Sequence, residues 1–426
     1  MIEPGLTSRP DGETHGKRRR AASGKVLVLG PDNRIVLAIA RSLGRRKLSV
    51  HVGWCHPAAP ALRSAHIDRI LDIPPFEGDD ETWRRSLASV LDEERYDLVL
   101  PATEHTIDAC RRQRAELERR APIYLQPEAT FEIVADKERT GELARRLGIP
   151  HPATTVIHGT EPSAAELGQV RLPVIVKPCR SVGRGVDKDY VRRASDLAEL
   201  RDCVSEQLRV RQRVLVQEVV PGIGVGIELL ARRGEILFAF QHARIHETSG
   251  YGSTYRESVA LDDHLLEAST KLMHALGYTG VAMVEFRVDP RTGDWFLLEI
   301  NGRFWGSLPL AVAAGADFPY YLYQLLVEDR RVFPPGYEVG LRCRNMEGDL
   351  RWFWANIGRR PDRGSAGWAV NRPSGWQLAR DLARAAVFRD RIDSYAADDP
   401  RPAWFELRRL IRKTLQLPFR RLRSGS

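Results

Sequence analysis

Between Lys25 and Gln126 short apolar runs alternate with helix-like stretches, and this alternation most narrows what the chain can fold into. Lys25-Val-Leu-Val-Leu-Gly30 reads as a buried strand, Ile35 to Arg46 as a helix and Ser49 to Trp54 as a second strand. Ile67 to Ile73, Tyr96 to Pro101 and Ile123 to Gln126 repeat the strand pattern, with helical patterns from Glu81 to Arg95 and Thr106 to Arg120 between them. Strands that alternate with helices imply a parallel sheet with crossover helices. The turn after the first strand is Gly30-Pro31-Asp32-Asn33-Arg34. It lacks the GxGxxG that lets a backbone approach a pyrophosphate, which argues against NAD. Ligands of open α/β sheets lie at the carboxyl ends of strands, so Gly30 to Asn33 and Thr103-Glu104-His105 are placed to touch a substrate, or equally to serve as turns and helix caps.

From Phe131 the pattern becomes helices separated by hairpin-like strands: Leu172 to Pro178, Arg213 to Val220, Ile227 to Ala231, Ile236 to His242, Ala282 to Val288 and Trp295 to Ile300. This predicts α+β structure on antiparallel sheet. Beyond Asp329 follow Pro334-Pro335, a Trp-rich stretch from Arg351 to Trp376 and a helical pattern near Leu378 to Arg391.

Charge decides which partners to consider. The chain holds 65 Lys and Arg against 56 Asp and Glu, a formal +9. Residues 401–426 carry eight of those bases against Glu406 alone, and residues 1–23 carry five against three acids, so the stretch between is neutral. A neutral body without a basic, aromatic-interleaved module argues against nucleic acid. Cys55, Cys110, Cys179, Cys203 and Cys343 are odd in number with no CxxC pair, which suits free thiols in a reducing cytoplasm. No run approaches the ~20 apolar residues of a spanning helix.

Three features of the middle region carry chemistry. Val174-Ile-Val-Lys177-Pro178 ends a strand in a lysine, and Ser181-Val-Gly183-Arg184-Gly185-Val186 follows. Such a loop can fold its amides over phosphate oxygens beside the lysine's charge, or form an ordinary hairpin. Met283-Val-Glu285-Phe and Leu297-Leu-Glu299-Ile-Asn301-Gly-Arg303 are adjacent strands bearing carboxylates. The strand period of two puts Glu299 and Asn301 on one face, with Glu285 brought opposite by the turn at 289–293. These oxygens fit Mg²⁺ held together with nucleotide phosphates, or an exposed polar face with Arg303 as partner. Arg213-Val-Leu-Val-Gln217-Glu218-Val-Val220-Pro-Gly222 runs a strand into a turn, where backbone groups of Glu218 left unpaired would suit an adenine edge.

In this order, Asp136-Lys137 before a helix, Lys177 with its Gly-rich loop, the Gln217 to Gly222 hinge, Glu285, and Glu299-Ile-Asn301-Gly-Arg303 resemble the ATP-grasp superfamily, and within it the carbamoyl-phosphate-synthase-like carboxylate-amine ligases. The resemblance covers about residues 25–330. It implies a Rossmann-like domain over 24–127 and an ATP-grasp domain of two α+β subdomains gripping ATP over 128–330; composition and periodicity add a flexible extension over 1–23, a mostly helical extension over 331–400 and a basic amphipathic tail over 401–426.

Carried over by position, the resemblance assigns Lys137 and Lys177 to phosphates, with Ser181, Gly183, Gly185 and Val186 in the loop above them. It assigns Gln217, Glu218 and Val220 to adenine, Glu228 to the nucleotide side, and Glu285, Glu299 and Asn301 to Mg²⁺ or Mn²⁺. Arg303 would face the transferring phosphoryl group, as a catalytic residue with Lys177 and Arg256. The family often has Pro where Gly302 stands. The segment from Gln241 to Ser258, rich in Arg, His and hydroxyls, is read as a substrate loop or a solvated hairpin, with His242 and His246 either binding substrate and relaying protons or lying on the surface of a strand.

The implied reaction joins a small-molecule carboxylate to an amine with consumption of ATP. A phosphotransferase without ligation and a nucleotide-binding scaffold without turnover are the alternatives. The tail from Trp404 to Leu422 places apolar residues at helical spacing opposite Arg and Lys, so it either lies on the inner face of an anionic membrane or packs on the body of an otherwise cytoplasmic protein.

Overall fold

The computed structural model describes residues 24–76, 81–180, 191–247, 252–357, 373–387 and 389–423. Its first sheet holds β1 (Lys25–Leu29), β2 (Ser49–Gly53), β3 (Arg69–Ile70) and β4 (Leu98–Pro101), all parallel, in the order β3-β2-β1-β4. The alternating pattern therefore folds as expected, with two differences. The third strand shrinks to two residues, and the helix expected from Thr106 breaks into Glu104–Arg112 and Arg114–Glu118.

The second sheet is antiparallel: β5 (Thr154–His158), β6 (Val174–Pro178), β7 (Arg192–Ala194) and β8 (Arg213–Glu218), in the order β5-β8-β6-β7. Val174, Val176, Val214 and Val216 point to one face and build a small core with Leu200, Val204 and Leu208 of the helix Leu197–Leu208. Alternation sends Ile175, Lys177, Leu215 and Gln217 to the other face.

The third sheet is made of β9 (Ile223–Arg232), β10 (Glu235–Glu247), β11 (Ser253–Val259), β12 (Gly280–Val288), β13 (Trp295–Asn301), β14 (Arg342–Arg344) and β15 (Arg391–Ile392), in the order β13-β12-β9-β10-β11-β14-β15. One face is apolar: Val225, Ile227, Leu229, Ala282 and Val284 pack with Leu265, Leu272 and Met273 of the helix Asp263–Leu276 and Leu143 of the helix Lys137–Arg146. The opposite face carries Glu228, Glu285, Arg287, His242 and Arg244, so strand periodicity separates a core face from a polar one. The first sheet meets the third through Phe304 to Leu325, which shares one core with Val26, Val28 and Leu37 on one side and Leu230, Phe240 and Val281 on the other.

The C-terminal segment contains the helices Met346–Asn356, Gly375–Ala386 and Arg401–Arg423 and also extends the third sheet by two strands. The first turns of the last helix rest on the body, where Arg63 lies 4.8 Å above the Phe405 ring and Ala403 is buried.

Candidate active site

Two faces meet here, that of β6 and β8 carrying Lys177 and Gln217 and the polar face of β12 and β13. Glu285 and Glu299 are direct cross-strand partners, and Met283 is paired with Asn301. Glu299 Oε2 lies 3.2 Å from Lys137 Nζ. Asn301 Nδ2 donates to Glu299 Oε1 at 3.2 Å, and Arg303 Nη2 donates to Asn301 Oδ1 at 2.8 Å. Four of the residues singled out in sequence thus form one chain of polar contacts.

Local chemistry fixes Lys137. Asp136 caps the helix that begins there by accepting from the Glu138 and Arg139 amides, while the Lys137 amide donates to the Cys179 carbonyl at 2.9 Å. The second sheet holds this helix start, since Arg213 of β8 pairs with both Asp136 and Glu138. Lys177 is buried on β6 and senses both Glu285 and Glu299 electrostatically.

The charges are strongly perturbed. Burial works to raise Glu299, but Lys137, Lys177 and Arg303 outweigh it and hold the carboxyl at about 2. Glu285 moves the other way, pushed up by burial against the opposing pull of Arg244, whose Nη2 lies 2.6 Å from Glu285 Oε2. Burial and the neighbouring Lys137 lower Lys177 to about 8. Lys137 is raised: burial would lower it, and Glu299 and Glu104 prevail. His151, lowered to about 4 by burial and by Lys177, adds no charge near neutrality. Clustered shifts with named charge partners make this group of residues a candidate functional site.

Arg244 was only one residue of a suspected substrate loop in the sequence; its contact with Glu285 follows from strand register, which composition does not reveal. Its path crosses β9 at Gly224, where a Cβ would come within 2.6 Å of Arg244 Cδ. Beside it, a Cβ on Gly226 would stand 2.5 Å from His242 Cε1. Two glycines in a strand interior therefore form a trough that lets long side chains from β10 cross it. Arg287 completes the row by bonding Glu247 at 2.7 Å.

The first sheet reaches this site. Glu104, just beyond β4, lies 3.6 Å from Arg303, and the space beside Gly306 is occupied by the Arg34 guanidinium. At the strand ends named from sequence, the residues that reach the segment 303–306 are Glu104 and, one position past Asn33, Arg34, while Asp32 and Thr103 act as helix caps.

Several expectations are corrected. Arg256 is fully buried on β11 and pairs with Asp393, with its Nη1 on the Ser253 carbonyl at 3.2 Å; it anchors the C-terminal segment and joins none of the site carboxylates. The Glu218 amide is not open to a base, because it donates to the Ala153 carbonyl at 2.9 Å. Gln217 is buried with its side-chain amide on Thr154 at 3.0 Å. Glu228 is buried beneath the site, accepting from Ser307 Oγ at 2.6 Å and lying 3.0 Å from His242 Nδ1. His242 and His246 are buried, not superficial: His246 stacks on Trp352 at 3.4 Å and lies 2.6 Å from Asp349. Gln241 to Glu247 and Ser253 to Ser258 are strands of one hairpin. Val220 lies in the link between β8 and β9. Ser181, Gly183, Gly185 and Val186 lie outside the described residues.

The family described as ATP-grasp in the biosynthetic pathway with Ter operon matches residues 210–349, which run from the start of β8 through β14. The chain carries an ATP-grasp domain. Among relatives, the carbamoyl phosphate synthase large chain of Archaeoglobus fulgidus is 25% identical over 198 residues, 43% of this chain and 18% of that one. The D-alanine–D-alanine ligase of Carboxydothermus hydrogenoformans is 23% identical over 188 residues, 40% of this chain and 59% of that ligase. The chain thus spans less than a fifth of the synthase it matches. The crystal structure of an L-amino acid ligase from Bacillus licheniformis superposes with a TM-score of 0.54 at 20% identity, covering 72% of this chain and 75% of that one, and shares the ATP-grasp fold.

Proposed function

We propose that this ATP-grasp protein is an ADP-forming carboxylate-amine ligase that binds ATP between the second and third sheets. The reading rests on one observation above all: Glu285 and Glu299 face each other across two strands, with Lys137, Lys177 and Arg303 gathered around them. Mg²⁺ fits the donor set, which is two carboxylates and an amide oxygen, all hard ligands. Glu285, Glu299 and Asn301 would hold it, and when bound it would neutralise charge on the nucleotide's phosphate oxygens; Mn²⁺ suits the same donors.

The chain's own residues then do the rest. A substrate carboxylate is a poor electrophile, and its attack on the γ-phosphorus of ATP gives an acyl phosphate and ADP. Lys137 and Lys177 offset charge on the phosphoryl oxygens, and Arg303 faces the group in transfer. An amine attacks the acyl carbon, phosphate leaves, and the amine's proton passes to solvent or a nearby base. Positioning and electrostatics suffice, so no nucleophilic side chain is required. Release of ADP and phosphate from Mg-ATP, screened against pairs of acids and amines with the condensed product identified by mass, tests the reading. A phosphorylated acceptor without condensation would replace it with simple phosphotransfer.

A further inference from the structure

The helix Gly375–Ala386 is amphipathic, and it docks with its polar side inward. Asp381 is its one buried residue. That carboxylate lies 3.3 Å from His246 Nε2, the Asp381 carbonyl accepts from Arg344 at 3.1 Å, and Arg384 donates to Asp390 at 2.6 Å. Trp376, Ala379, Ala383 and Val387 follow one another at helical spacing along the opposite side, and all are exposed, Trp376 at 77% and Val387 at 69%. A surface helix of a self-contained domain turns its apolar stripe to the core; this one turns it to the outside.

The neighbouring helices repeat the theme. On Met346–Asn356 the inward residues are Asp349 and Phe353, whereas Leu350, Trp354 and Ile357 face out, Trp354 at 74%. On the last helix Trp404 and Ile411 are exposed, and Arg409 and Lys413 tie that helix to the Met346–Asn356 helix through Glu347. Three exposed tryptophans, one on each of three helices that are linked through Glu347 and through His246 and Arg344, exceed the scattered apolar residues of an ordinary surface.

Charge selects the occupant. Most acids of these segments are drawn inside, with Asp349, Asp381, Asp390, Asp393, Asp399 and Glu406 buried, Glu347 tied to Arg409 and Lys413, and Asp398, paired with Arg45, exposed. Arg351, Arg380, Arg401, Arg408, Arg412 and Lys413 are exposed. A second copy of the chain would bring this basic face against itself. Exposed Trp among Arg and Lys suits a layer of anionic headgroups, where indoles sit at the boundary and guanidinium groups meet phosphates. Among the described residues no helix is long and apolar enough to cross a membrane, so contact would be in the plane of the surface. We propose that the outward faces of these three helices dock the protein on an anionic membrane.

The test is co-sedimentation of the full chain with vesicles of phosphatidylcholine containing about one third phosphatidylglycerol, beside pure phosphatidylcholine. Binding to the anionic vesicles alone, weakened by salt and lowered about tenfold in Trp354→Ser/Trp376→Ser/Trp404→Ser, is the expected result. Arg408→Glu/Arg412→Glu, which leaves the apolar stripe intact, should lower it as well. Circular dichroism checks that each variant is folded. Failure of the wild-type chain to bind, or equal binding by both folded variants, overturns the proposal. So does a wild-type dimer in sedimentation velocity that the tryptophan variant lacks, since a second copy would then be the occupant.

Discussion

Glu285 and Glu299 stand opposite each other on β12 and β13, yet each leans on a different cation, Arg244 for the first and Lys137 for the second. These cations supply positive charge that two adjacent carboxylates require. The pairs differ in burial: Arg244 and Glu285 are both nearly inaccessible, whereas the Glu299 side chain is 27% exposed.

That difference separates two substitutions. Glu285→Gln leaves Arg244 buried with one partner fewer and should destabilise the chain by roughly 3 kcal/mol. Glu299→Gln leaves Lys137, Lys177 and Arg303 without the carboxylate they hold at about 2, and with that side chain 27% exposed the loss should be about 2 kcal/mol. If the assigned roles hold, both lower ADP formation by ~10²-fold or more, the order expected for lost charge stabilisation in phosphoryl transfer. Urea denaturation beside an ADP-release assay reads both effects. Unchanged turnover in Glu299→Gln would remove it from the site.

Lys177, lowered to about 8 by burial and by Lys137, gives a pH prediction with two opposite signs. Nucleotide affinity should weaken as pH rises above 8, because the free site loses a charge that phosphate would otherwise meet. Stability of the ligand-free chain should do the reverse. Between about 8 and the ordinary lysine value of ~10.4 the folded chain binds fewer protons than the unfolded one, so rising pH favours the fold across that window. Nucleotide titrations and urea midpoints from pH 7 to 9.5 measure both trends. Lys177→Arg should flatten the two together, since guanidinium keeps its proton throughout.

The sequence made the sheets legible where period and length agreed, as in Lys25–Leu29 and Trp295–Asn301, and it brought Glu299, Asn301 and Arg303 together through short-range spacing, whereas Lys137 joined them only through the family resemblance. It did not show contacts set by register between distant strands. Arg244 on Glu285 depends on β10, β9 and β12 lying in that order, and Arg256 on Asp393 joins residues 137 positions apart. The histidines were misread for a related reason. An alternating strand looks half-exposed until something covers its second face, and here the C-terminal helices bury His246.

Arg256 gives a direct check on its corrected role. Arg256→Met leaves Asp393 buried beside Cys343, whose Sγ lies 3.0 Å away, and should destabilise by about 3 kcal/mol or more. Adding Asp393→Leu removes the stranded carboxylate and should restore much of the loss. With a structural role, KM for ATP and turnover per folded molecule stay near wild type in the double variant. A fall of ~10²-fold in kcat in that stable double variant would return Arg256 to the catalytic set.

Gly222 tests the link between the second and third sheets. It lies between β8 and β9 with φ of +111°, and a Cβ there would stand 2.0 Å from the Val288 carbonyl oxygen and 2.6 Å from the Asp289 amide. Those atoms are backbone at the end of β12, so no flexible side chain can yield. Gly222→Ala therefore adds an unfavourable backbone conformation, ~1–2 kcal/mol, to a displacement of comparable size. Gly293→Ala is the control: its φ is +81°, but nothing lies within 4 Å of its Cβ position, so only the conformational part remains. The expected loss is about 3 kcal/mol for Gly222→Ala and about 1 for Gly293→Ala in urea denaturation. Because the displaced link also sets how β6 and β8 face β12 and β13, nucleotide affinity should fall in Gly222→Ala and hold in Gly293→Ala. Equal losses in the two variants would show that the close approach to β12 does not constrain the link.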